Sequence, residues 1–183
     1  MKKITVKEIT LIGIMSALIC VVAPFSLPIG PIPITLANFV IYFAVVLLGK
    51  KLSTISCIVY LLLGGFGVPV FSNFGSGVGY ILGPTGGYLV GFVFMALLSG
   101  IIVDKFRGKV SMYILGLALG TIIDYAFGTF WFVYQQKTTV TAALVACVYP
   151  FVIFDTIKLV AAAFLGEAVR HRLIKSNIIS SKL

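Results

Sequence analysis

Two charges of opposite sign stand three positions apart inside an otherwise apolar run, YPFVIFDTIKLVAAAFL, residues 149–165. On a helix this spacing puts Asp155 and Lys158 on one face. A charge in hydrocarbon costs roughly 2.5–3.5 kcal/mol on insertion scales, so both must turn toward a bundle interior or a cavity. A salt bridge that merely neutralises the pair is the plainer reading. But apolar residues would pack there at lower cost, because buried ion pairs are poor stabilisers. The pair therefore reads first as a polar grip for something that enters the bundle. Pro150, shortly before it, frees a backbone carbonyl and predicts a kink beside the site.

Other residues invite similar questions. Asp124 is a second acid in an apolar run and belongs to a stripe, Gly116, Gly120, Asp124, Gly128. Small residues at that spacing let helices approach closely, so Asp124 reads equally as a packing acid or a binding one. The segment GPTGGYLVGF, residues 83–92, reads as a helix start, with Pro84 near the first helical position. Thr85, Gly86 and Gly87 would present backbone N–H groups there, which suits a carboxylate, although glycine at a helix start is often only packing. Gly13 and Ala17, with Ser16 and Cys20 alongside, form a small-residue face suited to internal packing or to another membrane subunit.

Several chemistries have no residues to run on. There is one His, His171, in a basic tail, and three cysteines, Cys20, Cys57 and Cys147, all in apolar segments. These give neither a disulfide framework nor a His-rich metal site. No phosphate loop of the G-x-x-x-x-G-K-[ST] type, no H-E-x-x-H and no G-x-S-x-G occurs. The halves show no obvious internal repeat of the inverted kind used by many secondary transporters. An enzyme is not expected.

The elements that position these residues follow from composition. Of 183 residues, 60% are hydrophobic and 10% charged, with a mean hydropathy of +1.16. A soluble domain of this length carries more charge. The expected class is an all-α integral membrane protein: a single six-helix membrane domain over 1–183, with apolar runs at 8–24, 34–48, 52–64, 84–103, 110–129 and 141–168. The third run is short for a span; it either continues toward Pro69 or stops at Gly64–Gly65 and hands over to a re-entrant loop. Breaks are marked by Pro24, Pro28, Pro31 and Pro33 and by glycine-rich sequence from 64 to 83. Lys2 and Lys3 precede the first run, but no A-x-A-like cleavage site follows, so a retained helix is expected.

Orientation follows from Lys and Arg. With the N-terminus cytoplasmic, 12 of the 14 cationic residues lie inside, which places both termini there. Lys137 alone falls in an outside loop, and Lys158 lies within the last span. The net charge of +9 is then a topology signal and an attraction to anionic headgroups, with no need of nucleic acid. The outside loops SLPIGPIP and GGFGVPVFSNFGSGVGYILG carry no charge. The second is too apolar for a solvated tail and is expected to fold back over the outer mouth of the bundle.

Four stretches in order, IPITLANFVIYFAVVLLG, LLLGGFGVPVF, LGPTGGYLVGF and FDTIK, carry a resemblance. The chain resembles the BioY family, the biotin-specific substrate-binding (S) components of energy-coupling factor (ECF) transporters, from about residue 8 to 172. It departs from the pattern at Ala37–Asn38, where family members often carry Gln after Thr-Leu. The resemblance implies high-affinity biotin binding and uptake near the outer face of a prokaryotic plasma membrane. It implies a transmembrane coupling protein and two ATPases as partners. ATP is used by those partners, and no cofactor is bound by this chain. The S component is expected to topple in the membrane with its ligand. Biotin's ureido ring has two N–H donors and one carbonyl acceptor. Asp155 suits the donors and Lys158 the carbonyl. Asn73 can add a donor and an acceptor; Phe71, Phe74 and Tyr88 can wall the thiophane. The Thr85, Gly86 and Gly87 backbone can receive the valerate carboxylate, with Thr35 a weaker contact. The opposite pose, with Lys158 on the carboxylate, stays open. Gly13 and Ala17 match the small-residue motif by which such components dock on the coupling protein.

Three rival readings compete with it. A stand-alone proton-coupled permease for a small amphipathic solute would use Asp124 or Asp155 as its protonated group. A membrane enzyme acting on a lipid or isoprenoid would need clustered acids, whereas Glu8, Asp104 and Glu167 lie far apart in sequence. A purely structural subunit would use Asp155–Lys158 as an internal salt bridge.

Overall fold

The computed structural model describes residues 4–27, 31–176 and 178–179. Three of the twelve basic residues counted as cytoplasmic, Lys2, Lys3 and Lys182, and one of the prolines named above, Pro28, lie outside them. Helix α1 (Val6–Val22) begins with a reciprocal cap. Thr5 Oγ1 accepts from Glu8 N–H at 3.3 Å, and Glu8 Oε2 accepts from Thr5 N–H at 2.7 Å. A minimal antiparallel ribbon follows, β1 (Ser26–Leu27) against β2 (Ile34–Thr35). Then come α2 (Ala37–Gly65), a 3₁₀ turn (Ser72–Phe74), α3 (Val78–Ile81), α4 (Gly86–Lys105), α5 (Val110–Gln136), α6 (Val140–Cys147) and α7 (Tyr149–Lys175). Helices α2, α4 and α5 are each long and apolar enough to cross a membrane, as are α6 and α7 taken together across a 45° bend. Helix α1, at 17 residues, is slightly shorter.

Element α2 is two rods. Asn38 and Tyr60 line one cleft, yet a straight helix would hold them about 33 Å apart. The reversal occurs at Gly49, with φ 77° and ψ −176°, a region that favours glycine. A Cβ there would run into the Asp104 and Arg107 side chains. Those side chains fasten the turn. Asp104 Oδ2 accepts the Lys50 N–H at 3.0 Å, Arg107 Nη1 donates to the Val46 carbonyl at 3.1 Å, and Asp104 pairs with Arg107. The third apolar run ends at Gly65, and the chain turns at Phe66 and Gly67 into the aromatic loop.

Lipid removes the hydrophobic drive between helices, so close approach must hold the bundle together. Helices α4 and α5 meet along the glycine stripe. Gly116 faces Ile102 and the Ser99 carbonyl, Gly120 faces Met95 and Ser99, and Gly128 faces the Tyr88 ring. A Cβ at Gly120 or Gly128 would overlap those neighbours. Helix α1 joins the second rod of α2 through a serine pair. Ser16 Oγ donates to the Ile12 carbonyl at 2.8 Å and lies 3.2 Å from the Ser56 carbonyl. Ser56 Oγ donates to the Leu52 carbonyl of its own rod at 2.9 Å and lies 3.4 Å from the Ile12 carbonyl of α1. The central core is built from Ile41, Val45, Met95, Leu117 and Ala162.

The last apolar run is bent, as Pro150 predicts, but the break falls at Val148 (φ −123°, ψ −57°). Pro150 has no N–H for the carbonyl four residues back. Phe151 N–H bonds to the Val148 carbonyl at 2.9 Å, which leaves the Cys147 carbonyl without its helical donor. The Tyr88 hydroxyl takes that place, donating to Cys147 O at 3.3 Å.

Candidate functional site

A cleft opens between the starts of α2 and α4, the middle of α5 and the first half of α7. Its wall is mostly apolar and aromatic, with Ile32, Tyr60, Tyr88, Leu89, Phe92 and Phe151 among the lining residues. Its polar groups gather at one side, where Thr35, Asn38, Tyr125, Asp155 and Lys158 meet. An apolar chamber with a few convergent polar groups is the usual form of a small-molecule site.

The sequence places these groups through ordinary helix geometry. Asp155 and Lys158 share the inward face of α7, with side chains 5% and 11% exposed. Lys158 Nζ lies 3.0 Å from Asp155 Oδ1. It also donates to the Thr35 carbonyl at 2.7 Å and to Asn38 Oδ1 at 3.2 Å. Asp155 Oδ1 accepts a second bond from Asn38 Nδ2 at 2.7 Å, and Oδ2 accepts from the Tyr125 hydroxyl at 2.6 Å. Each charge thus has a counter-charge and further hydrogen bonds, the condition under which an ion pair persists in a dry interior. The Thr35 carbonyl is available because Thr35 sits in the β2 strand just before α2. Its hydroxyl accepts from Ala37 N–H at 3.0 Å and donates to the Ala23 carbonyl at 3.1 Å. One layer deeper, the Tyr42 and Thr121 hydroxyls share a bond of 2.7 Å.

The candidate residues from sequence divide in two. Asp155, Lys158, Tyr88, Thr85 and Thr35 line the cleft. Phe71 stands behind its wall, fully buried, stacked on Tyr80 (centroids 5.2 Å apart) and edge-on to Tyr60. Tyr60 and Tyr80 are the faces that reach the cleft. Phe74 is exposed and packs edge-on against Phe25 at 5.6 Å. Asn73 lies in the 3₁₀ turn at φ 55° and ties the aromatic loop to the β1 segment. Its N–H donates to the Pro24 carbonyl at 3.0 Å, and its Oδ1 accepts from Ser26 Oγ at 3.1 Å. Asn73 lines a neighbouring pocket that shares Pro33, Ser72, Tyr80 and Thr85 with the cleft. Gly86 and Gly87 admit close neighbours: a Cβ on Gly86 would strike the Ile81 carbonyl, and one on Gly87 the Trp131 side chain. Gly13 and Ala17 lie on the outer side of α1, both exposed, with nothing within 4 Å of a Cβ built at Gly13.

Sequence reasoning missed two residues of the polar cluster as site members. Asn38 is an amide inside an apolar helix, which is a readable signal. Tyr125 carries none, since the chain has eight tyrosines. Asp124 also lines the cleft, and the acid is 5% exposed.

The BioY family model matches residues 1–175. This chain belongs to the BioY family. A biotin transporter BioY of Thermotoga maritima is 40% identical over 157 residues, covering 84% of this chain and 90% of its own. A probable biotin transporter BioY of Pyrococcus horikoshii is 35% identical over 164 residues, covering 90% and 96%. Among solved structures, the crystal structure at 2.1 Å of the S-component for biotin from an ECF-type ABC transporter superposes with a TM-score of 0.85. It is 29% identical and covers 91% of this chain and 92% of that one. These relatives are transporters, and this chain is not an enzyme.

Proposed function

We propose that this BioY chain binds biotin with high affinity and delivers it as the S component of an ECF-type ABC transporter. The observation that carries the reading is the shape of the cleft: an apolar, aromatic chamber with one polar corner of Asn38, Tyr125, Asp155 and Lys158. Biotin has the matching division, a ureido ring fused to an apolar thiophane with an acidic tail. In this reading the ureido ring meets Asp155 and Lys158. The thiophane lies against Tyr88, Phe92 and Phe151, and the valerate points toward Thr85 and the start of α4. Asn73, Phe71, Phe74, Gly86 and Gly87 then act from behind or above the wall, by holding the aromatic loop and the α4 start in place.

The chain is a single membrane domain of six passes: α1, the two rods of α2, α4, α5 and the bent pair α6–α7. Its basic turns, at Lys50–Lys51, 105–109 and 170–175, sit together at one end, joined by Lys50–Asp104 and by the Tyr113 hydroxyl on Glu167 at 3.1 Å. That end faces the cytoplasm, and both termini lie on that side of a prokaryotic plasma membrane. In this reading the cleft opens toward the opposite, outer side, the side to which the Lys137 loop belongs. Partners are a transmembrane coupling protein, docked on the Gly13–Ala17 face, and two ATPases that use ATP. The chain itself carries no cofactor.

Uptake of labelled biotin by a transport-deficient host tests this. With the coupling protein and ATPases co-expressed, uptake is expected, and it should stop when the ATPases are inactivated. Uptake by this chain alone that collapses with the proton gradient would favour a permease instead.

A further inference from the structure

The cleft holds a second acid that the Asp155–Lys158 pairing leaves unused. Asp124 is 5% exposed and lines the cleft, and its Oδ1 is buried with no hydrogen-bond partner among the described residues. That oxygen is pressed against Gly91 of α4, where a Cβ would collide with it. The side chain can therefore meet a guest only through its other oxygen. Asp155, by contrast, already takes three protein donors, from Asn38, Lys158 and Tyr125. A buried acid with an orphaned oxygen is costly to keep, and a small-residue crossing does not require it, because glycine or alanine would serve.

We propose that Asp124 is a specificity-determining ligand contact, the acceptor for one of the two ureido N–H groups. This rests on the biotin reading. The chemistry narrows the choice: at neutral pH biotin's only donors are its ureido N–H groups, and its ionised tail would be repelled by an acid. One N–H then meets the free oxygen of Asp124 and the other meets Asp155, so the ring lies between α5 and α7 with the tail directed away from both acids. Gly91 serves as the seat that aims Asp124 at the ring.

The test titrates the purified chain with biotin and with the two derivatives singly methylated on a ureido nitrogen, beside Asp124→Leu and Asp124→Asn variants. Wild type should bind each methylated ligand more weakly. The Leu variant should melt no lower than wild type, since an orphaned polar group has gone. It should bind biotin about ten- to a hundredfold more weakly, the loss expected when a buried ureido N–H is left without its acceptor. Its discrimination against one of the two methylated ligands should disappear. The Asn variant, which keeps a weaker acceptor, should fall between and carries the test if the Leu variant does not fold. Wild-type affinity and undiminished discrimination in the folded variants would overturn the proposal while leaving the biotin reading standing. Failure of folded wild type to bind biotin at all would overturn both.

Discussion

Lys158 is held by three acceptors from two segments distant in sequence, the Thr35 carbonyl and Asn38 Oδ1 before and within α2, and Asp155 Oδ1 on its own helix. Removing it strands a buried carboxylate. Lys158→Met should therefore cost about 3–5 kcal/mol, read as a lower melting temperature in detergent. The double change Asp155→Leu, Lys158→Met should recover much of that loss, because no isolated charge remains, while ligand binding stays abolished. A double variant as unstable as the single one would show that the pair holds the fold in some other way. The pair itself was legible in sequence, since two charges in an apolar run must turn inward. Its partners were not. Asn38 and Asp155 are 117 positions apart, and only the packing of α2 against α7 brings them within 2.7 Å.

Elements are set here by backbone exceptions as much as by apolar periodicity. Gly49 reverses α2, and the Asp104–Arg107 pair occupies the space a side chain would need. Gly49→Ala should cost about 1–3 kcal/mol from the left-handed backbone alone, with more from the displaced ion pair. Loss of stability with ligand affinity retained per folded molecule is the expected result; an unaffected melting temperature would count against the turn as described. At the other break, Tyr88→Phe should leave the Cys147 carbonyl without a donor and cost about 1–3 kcal/mol if no water replaces it. The six apolar runs were visible in sequence, as was the kink near Pro150. The aromatic loop was read as a fold-back segment, and Phe71 buried against Tyr60 is how it achieves this. That Tyr80 and not Phe71 faces the cleft was not visible, because the two aromatics of the loop look alike until it is closed.

At the scale of the whole molecule, the small-residue face of α1 and the cleft are separate surfaces. Gly13 and Ala17 point outward, while Ser16 on the inner side ties α1 to α2. Replacing Ala17 with a bulky residue should leave ligand affinity intact and abolish uptake with the partner complex; normal uptake would remove the docking role. The central claim is that the cleft is a biotin site whose polar corner lies on α7. Calorimetric titration of biotin into the purified chain in detergent, beside Asp155→Asn, tests it most directly. Tight one-to-one binding by the wild type, lost or greatly weakened in the variant, is the expected result. Absence of binding to well-folded wild type, or equal binding by both proteins, would contradict it.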